Sequence, residues 1–151
     1  IEKAQSTSER FALVVCDLNS FKSVNDQYGH PAGNELLRNI ALALRESCRS
    51  SDTIARLGGD EFAFLFPTMD EQSSESRLAT LQEAIRQTSR ELQIEIEISS
   101  SMGVAFYPQD GQTAEELLGV ADRGMYLRKR EFYGLYPQTA DPIVPETVTV
   151  R

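Results

Sequence analysis

Cysteine, histidine and positive charge are all scarce in this chain, and each scarcity removes a class of protein. Its 151 residues include two cysteines and one histidine. Cys16 lies in an apolar run and Cys48 on a predicted helix, so they read as reduced core residues and not as a disulfide scaffold or a zinc site, which points to a cytosolic domain. Lysine and arginine total 15 against 23 acids, for a formal charge of −8. That balance leaves no basic stripe for long DNA or RNA, although small phosphorylated ligands held through a metal remain compatible. No apolar run reaches the roughly 20 residues that span a bilayer, and no signal-like start is visible. Position 1 is Ile, as expected of a piece of a longer chain. A cytoplasmic domain is therefore expected, with any sensor segment or membrane anchor elsewhere in the full-length protein. At 151 residues with an apolar content of 40%, the chain is long enough for one domain with a core and too short for two.

What is present centres on Arg56-Leu57-Gly58-Gly59-Asp60-Glu61-Phe62. Thr53 to Leu57 and Phe62 to Phe66 have strand length and β-branched or aromatic content, and Gly58-Gly59 between them signals a hairpin because glycine tolerates positive φ. Asp60 and Glu61 at its tip are adjacent carboxylates that repel unless a cation or solvent screens them. Hard divalent cations favour such oxygens, Mg²⁺ first and Mn²⁺ also. An ordinary solvated turn fits the motif equally well.

Phe11 to Cys16 is a continuous apolar run ending at Asp17, the pattern of a strand buried on both faces. Asp17 to Lys22 is then a tight polar connection into a short helix, whose backbone N–H groups and Lys22 suit an anion. Asn25, Asp26, His30 and Asn34 gather about a turn at Tyr28-Gly29, with Pro31 in a helix first turn. His30 reads as a structural hydrogen-bonding residue more readily than as a catalyst. From Asn34 onward, Leu37, Ile40, Leu44 and Cys48 mark a helix face. Arg49 and Asp52 alone read as a local salt bridge or cap. Leu78, Leu81, Ile85 and Leu92 mark another helix, entered at Asp70-Glu71. Ile94, Ile96 and Ile98 alternate with polar residues, predicting a strand that continues through Met102 to Tyr107. Thr113 to Glu116 is a capping box opening the last helix, whose basic end, Arg128-Lys129-Arg130, suits either the helix dipole or a ligand. Residues 1–10 read as an upstream linker or helix end and 137–151 as a C-terminal linker, with Thr147 to Val150 a candidate edge strand. This order predicts an α+β, ferredoxin-like βαββαβ core: an antiparallel central sheet flanked by helices, with Asp17 brought near Asp60 and Glu61.

Gly-Gly-Asp-Glu-Phe at 58–62 is letter for letter the signature of the GGDEF-domain diguanylate cyclases. Asp17 to His30 closely resembles that family's upstream block, and Ser101 to Ala105 and Ala121 to Tyr126 resemble its later ones, in order and at about its spacing. The resemblance, over a domain of 11–136, implies a nucleotidyl cyclase, polymerase-palm-like fold. It also implies condensation of two GTP into cyclic di-GMP with release of pyrophosphate, across a homodimer fused to sensor or regulatory domains. By likeness, Asp17, the Leu18 carbonyl and Asp60 hold Mg²⁺, with Glu61 beside them. Lys22, the backbone around Ser20 and Phe21, and Lys129 receive phosphates. Asn25 bonds the guanine edge, with Asn19, Asn34, Gly58 and Gly59 lining the substrate. Arg49 and Asp52 match an RxxD product-inhibition site that grips cyclic di-GMP. Three departures stand out: Asn34 and Asn19 where the family favours Asp, and Phe132-Tyr133-Gly134 where a glycine, a phosphate-binding cation and an asparagine are usual. Two alternatives follow, a catalytically silent module that binds GTP or cyclic di-GMP and a mixed-specificity cyclase that accepts ATP.

Overall fold

The computed structural model describes residues 9–135. Most of the upstream and all of the C-terminal linker, including the candidate strand Thr147 to Val150, lie outside them. The elements run β1 (Phe11–Asn19), α1 (Phe21–Tyr28), α2 (His30–Glu46), β2 (Thr53–Gly58), β3 (Glu61–Phe66), α3 (Glu71–Glu91), β4 (Ser99–Tyr107) and α4 (Ala114–Leu135). The sheet order is β2-β3-β1-β4, with β1 antiparallel to both neighbours. This is the expected α+β arrangement, and it makes β1 a central strand.

Because side chains alternate along a strand, β1 feeds two cores. Ala12, Val14, Cys16 and Leu18 join Phe62, Phe64 and Phe66 of β3 and the apolar stripes of α2 and α3. Phe11 and Val15 join Ala105, Tyr107, Leu117 and Ala121 on the side covered by α4. Asp17 continues this second set, so the acid at the strand's end is directed toward α4. Both cysteines are free. Burial pushes the Cys16 thiol up to about 12, so it remains an uncharged packing group.

Helix α2 begins at His30 with Pro31 in its first turn, as the sequence predicts; one boundary differs from expectation. The strand predicted from Ile94 starts only at Ser99. Gln93, at φ 58, turns the chain back as α3 ends, and Ile94 N–H donates to Ser89 C=O at 3.1 Å. Ile98 is buried and Ile94 and Ile96 pack against the first core, so the alternation records burial without strand pairing. The capping box at Thr113 and Glu116 is present: Glu116 N–H donates to Thr113 Oγ1 and Thr113 N–H to the Glu116 carboxylate, both at 3.2 Å. A second one, Asp70 with Ser73, opens α3.

At the outer edge of the sheet, Gln82 of α3 answers the backbone of Ser100. Its Nε2 donates to Ser100 C=O and its Oε1 accepts from Ser100 N–H, both at 2.8 Å. Helix α4 is seated against β4 through Gly103, where an added Cβ would fall 1.8 Å from Ala121 C=O and 2.4 Å from Met125 N. Neither backbone atom can step aside. Gly103→Ala is therefore expected to destabilise the domain by about 3 kcal/mol, read as a lower urea midpoint. Gly58→Ala, whose Cβ would meet nothing within 4 Å, should leave that midpoint close to wild type.

Candidate active site

The site forms where the last turn of β1, the β2–β3 hairpin and the end of α4 meet. Asp17 lies opposite Glu61 in the β1–β3 register, and Leu18 N–H donates to Asp60 C=O at 3.1 Å. The hairpin acids are thereby brought beside the strand-end acid, as the topology predicts. From the other side, Lys129 of α4 donates its ammonium to Asp17 Oδ2 at 3.0 Å and to Leu18 C=O at 3.1 Å. The Asp17 and Lys129 side chains each retain 21% exposure. Asp17 Oδ1 is buried with no hydrogen-bond partner.

Burial pushes the Asp17 carboxyl up to about 7; Lys129 opposes the rise and the carboxylates of Asp60 and Glu61 add to it. A partly buried carboxylate, a neighbouring carbonyl and an orphaned acid oxygen form a seat for a cation, and the ammonium already rests on two of those oxygens. Among the described residues no three His, Cys, Asp or Glu side chains form a metal cluster. That is compatible with Mg²⁺, which commonly binds through one or two carboxylates and completes its shell with water and substrate phosphates. The donor set fits such an ion, with Asp17, the Leu18 carbonyl and the hairpin acids Asp60 and Glu61 to hold it.

The turn after β1 is tied to α4 a second time. Ser20, at φ 68, gives its N–H to the Tyr133 hydroxyl at 2.9 Å, and the Lys129 ammonium lies 5.7 Å from the Tyr133 ring centroid. Lys22 is exposed in the first turn of α1, and Phe21 is buried in the core. Asn19 is 1% exposed. It donates to Ser99 Oγ and accepts from Ser101 Oγ, each at 3.1 Å. The amide makes both contacts without placing a charge in this buried position.

Asn25 lies where α1 crosses α2: a Cβ on Gly33 would come within 1.8 Å of its Oδ1. Asn34 follows Gly33 and is exposed. Neither Gly58 nor Gly59 takes a positive φ; among the described residues the glycine that does is Gly29, at φ 90. What the pair supplies is open approach, since nothing stands within 4 Å of a Cβ built at either. The turn is held instead by Arg56, whose Nε donates to Gly59 C=O at 2.9 Å.

Arg49 and Asp52 lie apart from this cluster, before β2. Asp52 Oδ2 accepts from the Arg49 backbone N–H at 2.7 Å and pairs with the Arg77 guanidinium at 2.6 Å, its side chain 2% exposed. Arg77 also lies 4.7 Å from the Phe66 ring centroid. Of the two local readings, salt bridge or cap, the capping contact is the one present, and the arginine that pairs with Asp52 comes from α3. Position 77 follows from no spacing in the sequence; Tyr133 carries no local signal either.

An antiparallel palm-like sheet with acids gathered where its central strand meets a hairpin defines a cyclase-type α+β fold. The chain belongs to the GGDEF family: the profile for the diguanylate cyclase GGDEF domain matches residues 1–132. The bifunctional diguanylate cyclase/cyclic di-GMP phosphodiesterase MucR of Pseudomonas aeruginosa is 43% identical over 129 residues, 85% of this chain and 19% of that protein. Diguanylate cyclase TpbB of the same species is 38% identical over 136 residues, covering 89% of this chain and 31% of that protein. The chain thus spans a fifth to a third of these relatives. Another, cyclic di-GMP phosphodiesterase PdeR of Escherichia coli, is 34% identical over 81% of this chain and 18% of its own length. The crystal structure of the TpbB GGDEF domain superposes with a TM-score of 0.76 at 34% identity, over 86% of this chain and 82% of that one. The GGDEF domain of DgcB from Caulobacter crescentus, solved with c-di-GMP, gives 0.71 at 27% identity, over 86% and 78%.

The raised Asp17 pKa sets a pH dependence. Its folded value lies above the ordinary aspartate value of about 3.9, so the folded metal-free domain holds this proton more tightly than the unfolded chain. The stability this contributes is present at low pH and declines as pH rises from about 4 toward 7. A cation competes with that proton, so Mg²⁺ affinity measured by calorimetry should rise at most about tenfold per pH unit below pH 7 and level off above it. In Asp17→Asn this rise should be lost.

Proposed function

We propose that this domain condenses two GTP molecules into cyclic di-GMP with release of pyrophosphate, in a Mg²⁺-dependent reaction across a homodimer. The observation that carries the reading is the cluster of Asp17, the Leu18 carbonyl and Lys129 beside the Gly-Gly-Asp-Glu-Phe hairpin. It supplies oxygen donors for a cation and a mobile positive charge for phosphate in one place. The cation, when bound, supplies Lewis acidity that lowers the pKa of the 3′-hydroxyl and offsets charge on the triphosphate.

The chain's own groups do the rest. Lys129 moves from Asp17 and the Leu18 carbonyl onto phosphate oxygens as the substrate arrives, exchanging one charge-assisted contact for another. Lys22 approaches the β and γ phosphates from the start of α1. The open backbone at Gly58 and Gly59 lets the nucleotide lie against the hairpin, and Asn25 and Asn34 present amides to the base from the α1–α2 crossing. Because each protomer presents one nucleotide to its partner, the isolated domain is expected to be slow until dimerisation is enforced.

A second reading draws on Tyr133, whose hydroxyl accepts a hydrogen bond from an amide of the phosphate turn and supplies no cation. It favours a module that binds GTP or cyclic di-GMP without turnover. Product analysis by mass spectrometry separates the two, using the protein fused to a dimerising coiled coil with equal GTP and ATP plus Mg²⁺. Cyclic di-GMP is the expected product, lost in Asp60→Ala; adenine-containing cyclic products would show that Asn34 admits ATP. No cyclic product from the wild-type fusion would overturn the cyclase reading.

Product inhibition at the RxxD pair is the further part of the proposal. Arg49 would hold cyclic di-GMP phosphate, and Arg77, already against Asp52, would order that pocket. Arg49→Ala is expected to weaken cyclic di-GMP binding about tenfold or more, the loss of one charged hydrogen bond. Calorimetry on the nucleotide-free fusion reads this directly.

A further inference from the structure

A cavity of about 500 Å³ opens on the far side of the β1–α1 turn, between α3, α4 and the outer edge of β4. Asn19 and Ser20 form its inner wall, so it begins at the same turn that carries Asp17 and Leu18. Arg86 of α3 and Arg128 of α4 line it, as do Gln82 and Ser99.

Its hydrogen-bonding capacity is weighted toward donors. Ser99 Oγ accepts from Asn19, which leaves its own O–H to donate. Gln82 spends one Nε2 hydrogen on Ser100 C=O and has another. Arg86 Nε is buried without a hydrogen-bond partner. Glu97, also on the cavity wall, places its carboxylate 3.6 Å from that nitrogen, with a side chain 71% exposed. That is too long for a hydrogen bond, and so exposed a carboxylate is easily displaced. Arg128 precedes Lys129 on α4; consecutive helical residues point about 100° apart, so one helix directs Lys129 at Asp17 and Arg128 into the cavity.

We propose that this cavity receives a diphosphate, the pyrophosphate that leaves during cyclisation, with Arg86 and Arg128 as its charged contacts. The assignment rests on the cyclase reading for the identity of the ligand. Glu97, 3.6 Å from Arg86 Nε, acts as the displaceable competitor for that arginine.

Sodium pyrophosphate, titrated calorimetrically into the full chain without nucleotide or metal, tests this. Arg128→Gln and Arg86→Gln are each expected to weaken binding about tenfold, as for one charge-assisted hydrogen bond. Glu97→Gln should tighten it several-fold. That opposite sign, from an exposed side chain, cannot arise from misfolding. Orthophosphate should bind more weakly than pyrophosphate. No binding by the wild type, equal affinity across the variants, or equal affinity for the two anions would overturn the proposal. Failure of the cyclase reading looks different: the same pyrophosphate pattern in a protein that makes no cyclic dinucleotide keeps the cavity as a diphosphate site and removes the enzyme.

Discussion

The Lys129 ammonium, held between Asp17 and the Leu18 carbonyl, is the contact on which the candidate site depends. Asp17 is forced into a partly buried position by the strand alternation that places Val15 and Phe11 in the α4-side core, and two further acids stand close by. Burial disfavours its ionised form, and so do those neighbours; the ammonium is the group that opposes them. The lysine reaches it because α4 is seated so closely on β4 that Gly103 has no room for a side chain. A packing detail midway along β4 thus brings a compensating charge to an acid at the end of β1.

The same helix fixes the shape of the turn that follows. Tyr133, one helical turn beyond Lys129, takes the Ser20 amide hydrogen bond, so two consecutive ties join α4 to the β1–α1 connection. Any anion that draws Lys129 away loosens one and leaves the other, which keeps the turn in place while its charge partner changes. An acid destabilised by burial costs the fold something, and a cluster of this kind at the end of a central strand is where function outweighs stability.

Much of this was legible in the sequence because it is written in short-range periodicity. The apolar run at Phe11 to Cys16, the two helical stripes, the hairpin and the capping box at Thr113 each reflect spacing within a few residues. Their order was enough to bring Asp17 to Asp60 and Glu61. Alternation at Ile94 to Ile98 misled because it reports which side chains are buried, whatever the backbone pairs with. The glycine pair was legible as a turn, but its use is room and not left-handed φ. Arg77 against Asp52 and Tyr133 against Ser20 join elements 25 and 113 residues apart, and no local pattern encodes such meetings. Asn19 was legible only as a departure from Asp, because its two serine partners lie 80 and 82 residues away.

The glutamine at the border of the sheet has a consequence for assembly. A bare edge strand is a template on which another copy can add itself, and a protein expected to work in pairs would be vulnerable to that misdirected union. With the Ser100 amide and carbonyl answered by Gln82 of the same chain, a strand arriving there would first have to evict a side chain that already mimics it. Strand addition at this point of β4 would thus cost the hydrogen bonds that Gln82 already makes.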